Sequence, residues 1–467
     1  MTVPPTQKTL AQKAQRPAAE SDGGKARAGA ALGAAMIGFF VITLDALIVN
    51  VALPSIGKDL GGGITGLQWV VDGYTLLLAA LLLSSGAISD RVGARQAFGA
   101  GLALFLAASA ACGLAPNLGV LVGARFVQGA GAAVMMPATL ALIREGYPDA
   151  GKRAKALGMW ALGGSIGSAA GPVLGGALTA LSWRWIFFIN VPVGVVALLL
   201  LARVARSPKR PAPFDWIGQV TAVVAMGAIT YTLIEGGADG FARPRVLIAV
   251  AAAVVALAVF LADQARNPQP MMPLDLFRSR PVVISLTAGF ALNIGFYGLN
   301  FLLTLYFQDL RGLTPMATGV AFLPMTVLTG AVALASATVV RRFGAKATMV
   351  AGQVIMAAGL LILCLLPAHV PIWAVALMMM PVGGGGSLAV PAMTGLLLQS
   401  VPAARAGLAG GVLNTFRQFG GALAVAVFGA LVAGQAGLLH GMRVGLVAAT
   451  VLLLTTAALG LLRRVRH

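Results

Sequence analysis

The sequence has few charged residues, and most of its charges are of one sign. Asp, Glu, Lys and Arg make up 10% of the 467 residues, with 14 acidic against 33 basic side chains. Soluble domains carry roughly 25% charged residues, so a string of separate soluble domains is excluded. The hydrophobic fraction of 58% and the mean hydropathy of +0.90 instead predict an integral membrane protein with many spans.

Cysteine and histidine are also scarce. Cys112 and Cys364 stand alone in apolar runs, so neither a disulfide framework nor a Cys-x-x-Cys site is predicted. The three scattered histidines offer no zinc-binding spacing. Residues 383–387 are glycine-rich, but no Gly-Lys-Ser/Thr element follows them, so they do not form a phosphate-binding loop. We therefore expect no cofactor and no bound metal.

Fourteen apolar runs are long enough, at about twenty residues, to cross a bilayer. About 25 of the 33 basic residues fall in the tails and in the loops of one side, which the positive-inside rule assigns to the cytoplasm. We therefore expect a multi-pass protein of the cytoplasmic (inner) cell membrane with both termini in the cytoplasm, surrounded by lipid and binding no nucleic acid. The approximate spans are 30–53, 68–89, 97–114, 118–143, 156–181, 185–202, 216–234, 246–262, 282–307, 316–340, 348–366, 372–398, 407–433 and 444–462.

Two motifs occur twice at nearly equal separation. Arg342 follows Arg91 by 251 residues, each at the start of a short basic loop, and Gly383 follows Gly129 by 254 residues, each in a glycine-rich run before a proline. This pattern predicts two parallel six-span repeats with an inserted pair of spans between them. The predicted divisions are a disordered cytoplasmic tail (1–29), an N-terminal six-helix bundle (30–205), the inserted pair with its linkers (206–280) and a C-terminal six-helix bundle (281–467).

Two ionisable side chains lie deep inside apolar runs. Asp45 is in the middle of the first span, and Arg125 is well inside the fourth. A charge at the bilayer centre costs about 2.5–3.5 kcal/mol on insertion scales, so each should face protein or a water-filled cavity. Arg125 keeps its charge and needs an anionic or carbonyl partner, for which Asp45 is the best candidate. A static pair that fixes two helices and a site that exchanges protons both account for these residues.

Uncharged polar side chains inside the spans predict the lining of a substrate cavity. Asn293, Tyr297 and Asn300 follow an i, i+4, i+7 course along the ninth span, where they bond either a substrate or neighbouring helices. Asn50 in the first span and Gln128 in the fourth complete the predicted set.

Two more ionisable residues, Asp72 and Arg417, also lie within predicted spans. Asp72 lies near the outer end of the second span and is expected to be exposed to water, with a role in substrate or proton entry left open. Arg417 lies deep in the thirteenth span, and the sequence identifies no partner for it.

The fifth span has glycine at every fourth position. Gly163, Gly167, Gly171 and Gly175 form one flat face on which another helix can approach closely. Pro172 removes one backbone donor and can bend the helix. Tight packing and a gating movement both explain this pattern.

Several segments together resemble the major facilitator superfamily, and within it the fourteen-span drug:proton antiporter family. They extend over nearly the whole membrane region: 44–54, 86–95, 125–129, 167–176, 183–192 and 417–421. The 86–95 loop usually ends in Gly-Arg-Lys, whereas this chain has Gly93-Ala94-Arg95 and so lacks one basic residue. Residues 233–236, 305–308 and 323–326 look most like the methylenomycin A resistance exporters.

The resemblance implies an all-α major facilitator fold that exports small amphipathic drugs, antibiotics or toxic metabolites in exchange for protons. It implies proton coupling by Asp45 and Arg125, and a latch in which Asp90 meets the N-terminus of a helix in the other half. A monomer is expected. The residues to which the resemblance gives a gating role are Gly86, Asp90, Arg91, Arg95, Gly167, Gly171, Pro172 and Gly175.

Two other functions remain open at this point. Proton-coupled uptake of a small metabolite uses the same architecture in the opposite direction. An intramembrane lipid-modifying enzyme would need His, Cys or paired carboxylates clustered at one depth, and the sequence has no such cluster.

Overall fold

The computed structural model describes residues 22–209, 211, 213–365, 370–402, 405–433 and 437–461. This part of the chain contains fourteen helices long and apolar enough to cross a membrane, and no strand. The predicted all-α membrane fold is therefore confirmed. The helices are α1 (Asp22–Leu60), α2 (Gly63–Val92), α3 (Ala94–Gly113), α4 (Leu118–Gly146), α5 (Ala150–Leu181), α6 (Trp185–Ala202), α7 (Trp216–Asp239), α8 (Pro244–Arg266), α9 (Arg280–Leu310), α10 (Pro315–Phe343), α11 (Ala345–Cys364), α12 (Ile372–Gln399), α13 (Ala406–Ala433) and α14 (Leu438–Leu461).

The first helix begins earlier than the sequence predicts. It starts at Asp22, so residues 22–29 of the predicted tail are helical, whereas residues 1–21 lie outside the described residues. Alanine and arginine, which favour helix, dominate the segment 26–31 and extend the span toward the N-terminus. The last residues of two other predicted spans, 366 and 462, and the C-terminal residues up to 467 also lie outside the described part.

The same helix pairings occur in both halves of the chain. In the first half α1 packs against α5 and α3 packs against α4; in the second half α9 packs against α13 and α11 packs against α12. Each helix of the first half thus corresponds to the helix eight places later in the second half. The halves meet along two seams, α2 with α13 and α5 with α10, and this correspondence relates one seam to the other. These pairings fit the predicted parallel repeat.

The inserted pair lies beside one of these seams. α7 packs against α8 and also against both α2 and α13. Gln219 of α7 donates a hydrogen bond to the carbonyl oxygen of Ala80 in α2, at 2.9 Å. The pair is thus attached to the α2–α13 seam at the side of the bundle.

The glycine face of α5 packs directly against the backbone of α1. A Cβ atom on Gly167 would lie 2.5 Å from the carbonyl oxygen of Phe40 and 3.2 Å from the amide nitrogen of Leu44. A Cβ on Gly175 would lie 2.8 Å from the carbonyl oxygen of Ile48. The close approach that the sequence predicts for this face is therefore present, and α1 is its partner.

The other side of α5 reaches across to the second half. A Cβ on Gly176 would lie 2.6 Å from the carbonyl oxygen of Pro315 in α10, and the carbonyl group of Pro172 lies against Gly319 of the same helix. The α5–α10 seam thus brings two backbones together at the end of the bundle opposite the predicted cytoplasmic end.

We expect Gly167→Leu to destabilise the bundle, because a side chain at this position separates α1 from α5. Overpacking a close contact typically costs about 1–3 kcal/mol. The measurement is the fraction of detergent-purified protein that stays monodisperse on size-exclusion chromatography after heating.

Gly158→Leu is the matched control for this test. Gly158 is an exposed residue of the same helix, and no heavy atom lies within 4 Å of the position of its Cβ. Equal thermal stability of the two variants would contradict the close α1–α5 contact.

Candidate proton-coupling site

A buried ion pair joins α1 to α4 in the first half. The Nη1 atom of Arg125 donates to Oδ2 of Asp45 at 2.5 Å, and the two side chains are 1% and 0% exposed. The prediction that Asp45 is the partner of Arg125 is thus confirmed by the geometry. Breaking such a buried pair by removing one partner is costly, because the remaining charge has no compensation.

Two side-chain amides complete the coordination of the carboxylate. Oδ1 of Asp45 accepts hydrogen bonds from Gln128 Nε2 and from Asn190 Nδ2, each at 2.8 Å. Arg125 donates from Nε to the carbonyl oxygen of Val70 at 3.0 Å and from Nη1 to Gln128 Oε1 at 2.8 Å. Four helices, α1, α2, α4 and α6, therefore hold the pair.

The pair has both aromatic and polar neighbours. The guanidinium carbon of Arg125 lies 4.4 Å from the ring centre of Tyr74, which is within the range of cation–π attraction. Asn190 also donates to Ser109 Oγ at 3.0 Å, and that hydroxyl donates to the carbonyl oxygen of Phe187 at 2.9 Å. This second set of bonds fixes the amide that holds Asp45.

Gln128, which the sequence predicts in the substrate cavity, belongs to the network of the ion pair in this structure. Gln128 is fully buried, and its amide bonds both members of the ion pair, because it lies one helical turn after Arg125 on the same face of α4. Sequence reasoning also missed Asn190 and Tyr74 as parts of this site. An amide in the apolar run of α6 was a usable signal for Asn190, whereas Tyr74 has the position of an ordinary interfacial aromatic residue.

The charge of the Asp45–Arg125 pair would change if Asp45 took up a proton. A proton on Asp45 removes the negative charge and turns one acceptor oxygen into a donor. Arg125 cannot release its own charge, so it loses its counter-ion and is left with neutral acceptors, among them the Val70 carbonyl and the Gln128 amide. Protonation therefore weakens the contact between α1 and the helices that hold Arg125.

The expectation that Asp72 is exposed to water is wrong. Asp72 is fully buried, and neither of its carboxylate oxygens has a hydrogen-bond partner in the described part of the chain. Because α2 begins at Gly63, Asp72 lies more than two turns inside the helix. Gln68, one turn earlier on the same face, donates to the carbonyl oxygens of Val425 and Ala426, so this face of α2 points toward α13.

The other polar residues predicted to line the cavity are split between two surroundings. Asn50 and Asn300 each donate to a carbonyl of their own helix, at 3.2 Å to Ala46 and 2.8 Å to Phe296. Oδ1 of Asn50 has no partner among the described residues.

Asn293 and Tyr297 lie where α9 meets α13. Nδ2 of Asn293 donates to Oε1 of Gln418 at 3.4 Å. Tyr297 packs against the buried cluster of the first half that contains Tyr74, so it lies between the two halves. Arg417 donates to Oδ1 of Asn414 at 3.3 Å on the same helix.

Asp90, the acid of the predicted latch, has its ion-pair partner in the first half. Oδ1 of Asp90 lies 3.8 Å from Nη2 of Arg144, in its own half. Nε of Arg95 donates to the carbonyl oxygen of Leu201 at 3.1 Å, Arg91 is exposed, and the position of a Cβ on Gly86 has no heavy atom within 4 Å. The latch therefore remains a prediction for another conformation.

Comparison with known proteins finds one family along most of the chain. The model of the Major Facilitator Superfamily matches residues 35–425. The Multidrug resistance protein Stp of Mycobacterium tuberculosis is 37% identical over 85% of this chain and 74% of its own length. The Methylenomycin A resistance protein of Bacillus subtilis is 35% identical over 85% of this chain and 86% of its own length. The Tetracenomycin C resistance and export protein of Streptomyces glaucescens is 36% identical, with 86% and 76% covered.

Solved structures give the same fold at low sequence identity. The peptide transporter POT in complex with sulfate superposes with a TM-score of 0.69 at 17% identity, covering 92% of this chain and 94% of that one. The D-xylose-proton symporter superposes with a TM-score of 0.65 at 15% identity, covering 91% and 97%. At this identity the likeness concerns the fold alone.

We expect Arg125→Gln to lower the thermal stability strongly, because it leaves the Asp45 carboxylate buried and unpaired. Removing one partner of a buried pair costs about 3–5 kcal/mol. The double variant Asp45→Asn/Arg125→Gln should recover part of this loss, because no charge remains. The measurement is the midpoint of unfolding in detergent, followed by tryptophan fluorescence.

Arg184→Gln is the control, because it breaks the half-exposed Arg184–Asp59 pair of 2.7 Å. Such exposed pairs contribute about 0–1 kcal/mol to the free energy of unfolding, so this variant should be nearly as stable as the unmodified protein. If the loss of stability in Asp45→Asn/Arg125→Gln equals the sum of the losses in Asp45→Asn and Arg125→Gln, then Asp45 and Arg125 are not coupled.

Proposed function

Because this chain belongs to the Major Facilitator Superfamily, we propose that it is a proton-coupled exporter of small amphipathic drugs, antibiotics or toxic metabolites. The chain is a multi-pass membrane transporter rather than an enzyme. The buried Asp45–Arg125 pair carries the proposal, because it is an intramembrane acid held by a permanent cation. The names of its relatives, which refer to drug resistance and export, support the substrate class.

Asp45 is the proton carrier in this mechanism. In the ionised state it bonds Arg125, Gln128 and Asn190 and holds α1 against α4 and α6. A proton that arrives at Asp45 releases Arg125, loosens these contacts and allows the cavity to reorient. Return of the proton to the cytoplasm restores the pair and completes the exchange.

The driving force suffices for useful export. One proton that moves through 100 mV supplies about 2.3 kcal/mol. Since about 1.4 kcal/mol corresponds to a factor of ten, this supports roughly a 50-fold gradient of a neutral substrate at one proton per molecule.

Contacts between the halves support alternating access from a state open toward the cytoplasm. At the end opposite the predicted cytoplasmic end, the backbones of α5 and α10 touch, and Gln68 bonds the backbone of α13. Toward the predicted cytoplasmic end, the Cβ positions of Gly86 in α2 and Gly410 in α13 have no heavy atom within 4 Å. The contacts of Pro172 and Gly176 with α10 are then the ones that must separate when the transporter opens outward.

Asp72 is the second acid to which we assign a part in proton movement. A buried carboxyl without a partner is far cheaper to hold neutral than ionised. Asp72 lies on the face of α2 that meets α13, so separation of this seam gives it access to water. The protein acts in this scheme as a monomer in the cytoplasmic membrane, with both termini in the cytoplasm.

We expect Asp45→Asn to abolish substrate movement driven by a pH gradient. Asparagine has the same size and still offers Arg125 an acceptor, so membrane insertion should persist, but it takes up no proton. The assay uses inverted membrane vesicles with an imposed pH gradient, with and without an uncoupler.

Asp59→Asn is the control, because Asp59 is a half-exposed residue at the end of α1. Normal gradient-driven transport by Asp45→Asn would refute the coupling role. Uncoupler-sensitive movement out of the inverted vesicles, rather than into them, would indicate uptake by the intact cell instead of export.

We expect Asp90→Asn to shift the protein further toward the state in which the halves are apart at the cytoplasmic end. The latch stabilises the opposite state, because a carboxylate near a helix N-terminus is favourable. Spin labels on the exposed residues Val92 and Phe343 report this distance after both native cysteines are replaced. The expected change is a larger population at long distance.

Arg144→Gln provides the control for this measurement. It removes the partner of Asp90 in its own half but keeps the carboxylate that the latch needs. An unchanged distance distribution in Asp90→Asn would refute the latch.

A further inference from the structure

The second half of the chain carries a membrane-embedded cation without a carboxylate to match it. Asp309 is the last acidic residue of the sequence, so helices α10 to α14 contain neither Asp nor Glu. Arg417 lies eleven residues after the first residue of α13, which is about 16 Å along the helix axis. Its charge is permanent, and the half of the transporter to which it belongs supplies no anion at this depth.

The hydrogen bonds of Arg417 leave most of its guanidinium group free. Nη1 donates to Oδ1 of Asn414 at 3.3 Å, and Nε has no partner among the described residues. Arg125, in contrast, has the Asp45 carboxylate, the Val70 carbonyl and the Gln128 amide. An arginine that only fixes two helices would be expected to have its donors satisfied in this way.

Arg417 faces the interior of the second half. Its Cγ atom lies 2.9 Å from the position of a Cβ on Gly289, so the glycine of α9 makes room for the arginine stem. One turn further along α13, Gly421 lies against the ring of Tyr297, at 3.1 Å from its Cβ position. Tyr297 in turn packs on the first half. The half-buried guanidinium is thus placed beside the junction of the two halves.

Polar groups next to the cation can complete a binding site. Gln418 and Asn293 bond each other at 3.4 Å, a weak contact that a ligand can replace. Tyr297 adds a hydroxyl and an aromatic face. Together with Asn414, which bonds Arg417, these side chains offer donors and acceptors on the two helices that meet at this charge.

We propose that Arg417 binds an acidic group of the transported substrate, so that organic carboxylates are the preferred substrate class. The planar fork of arginine matches a carboxylate with two parallel hydrogen bonds. A cationic substrate would meet an uncompensated positive charge in a region of low dielectric constant. This assignment rests on the proposed export function, to which it adds the charge of the substrate.

Matched pairs of probes separate the carboxylate from the rest of the ligand. Dansylglycine and dansylglycinamide, and salicylate and salicylamide, differ in the acidic group. Binding to the purified full-length protein in detergent is measured by ligand-induced thermal stabilisation, at constant chloride concentration. We expect the acids to bind about ten- to a hundredfold more tightly than the amides, as for a hydrogen bond to a charged group.

Three variants test the residue. Arg417→Gln should lower the ratio of the affinities for acid and amide to about one. Arg417→Lys keeps the charge but lacks the two parallel donors of the guanidinium, so it should retain part of the preference for acids. Arg405→Gln removes a positive charge from the exposed Arg405–Asp275 pair and should leave the ratio unchanged. If Arg417→Gln does not fold, a reduced ratio in Arg417→Lys decides the question.

The outcomes distinguish this assignment from the proposed export. Stabilisation by the amides as much as by the acids, stabilisation by neither, or a preference for acids that survives Arg417→Gln would overturn the acid site. The binding assay needs no gradient, so acid binding that depends on Arg417 would stand even if vesicles showed no proton-coupled export. Conversely, gradient-driven export together with equal binding of acids and amides would leave export intact and overturn the acid site.

Discussion

One buried ion pair constrains the first half of the transporter. A carboxylate and a guanidinium can share an apolar interior only if their remaining hydrogen-bonding atoms are also satisfied. Asp45 and Arg125 meet this condition through Gln128, Asn190 and the Val70 carbonyl. The requirement ties α1, α2, α4 and α6 together at one depth, so a change in the charge of the pair acts on four helices at once.

The packing around α1 places this pair between two different kinds of helix contact. α1 is held on one side by polar bonds to α4 and α6, and on the other by contact with the glycine face of α5. Helix contacts made by glycine depend on close backbone approach rather than on long side chains. In the proposed mechanism, α1 tilts against the short contacts with α5 when Asp45 changes charge.

Much of the fold could be predicted because membrane spans obey simple rules of length and hydrophobicity. The fourteen helices and the Asp45–Arg125 pair followed from apolar runs and from the cost of burying a charge. The rotation of a helix about its axis is much harder to predict, since it depends on which neighbours it meets. This limit explains why the sequence predicts exposure to water for Asp72, whereas the structure buries it.

The inserted helices make the two seams between the halves unequal. α7 packs on both α2 and α13, whereas α7 and α8 make no comparable contact with the described residues of α5 and α10. One junction is therefore screened from the acyl chains by protein, and the other borders them directly. A hydrophobic molecule dissolved in the bilayer can therefore approach the closed α5–α10 junction but not the α2–α13 junction, so the inserted pair gives the two-fold repeat one side that faces lipid.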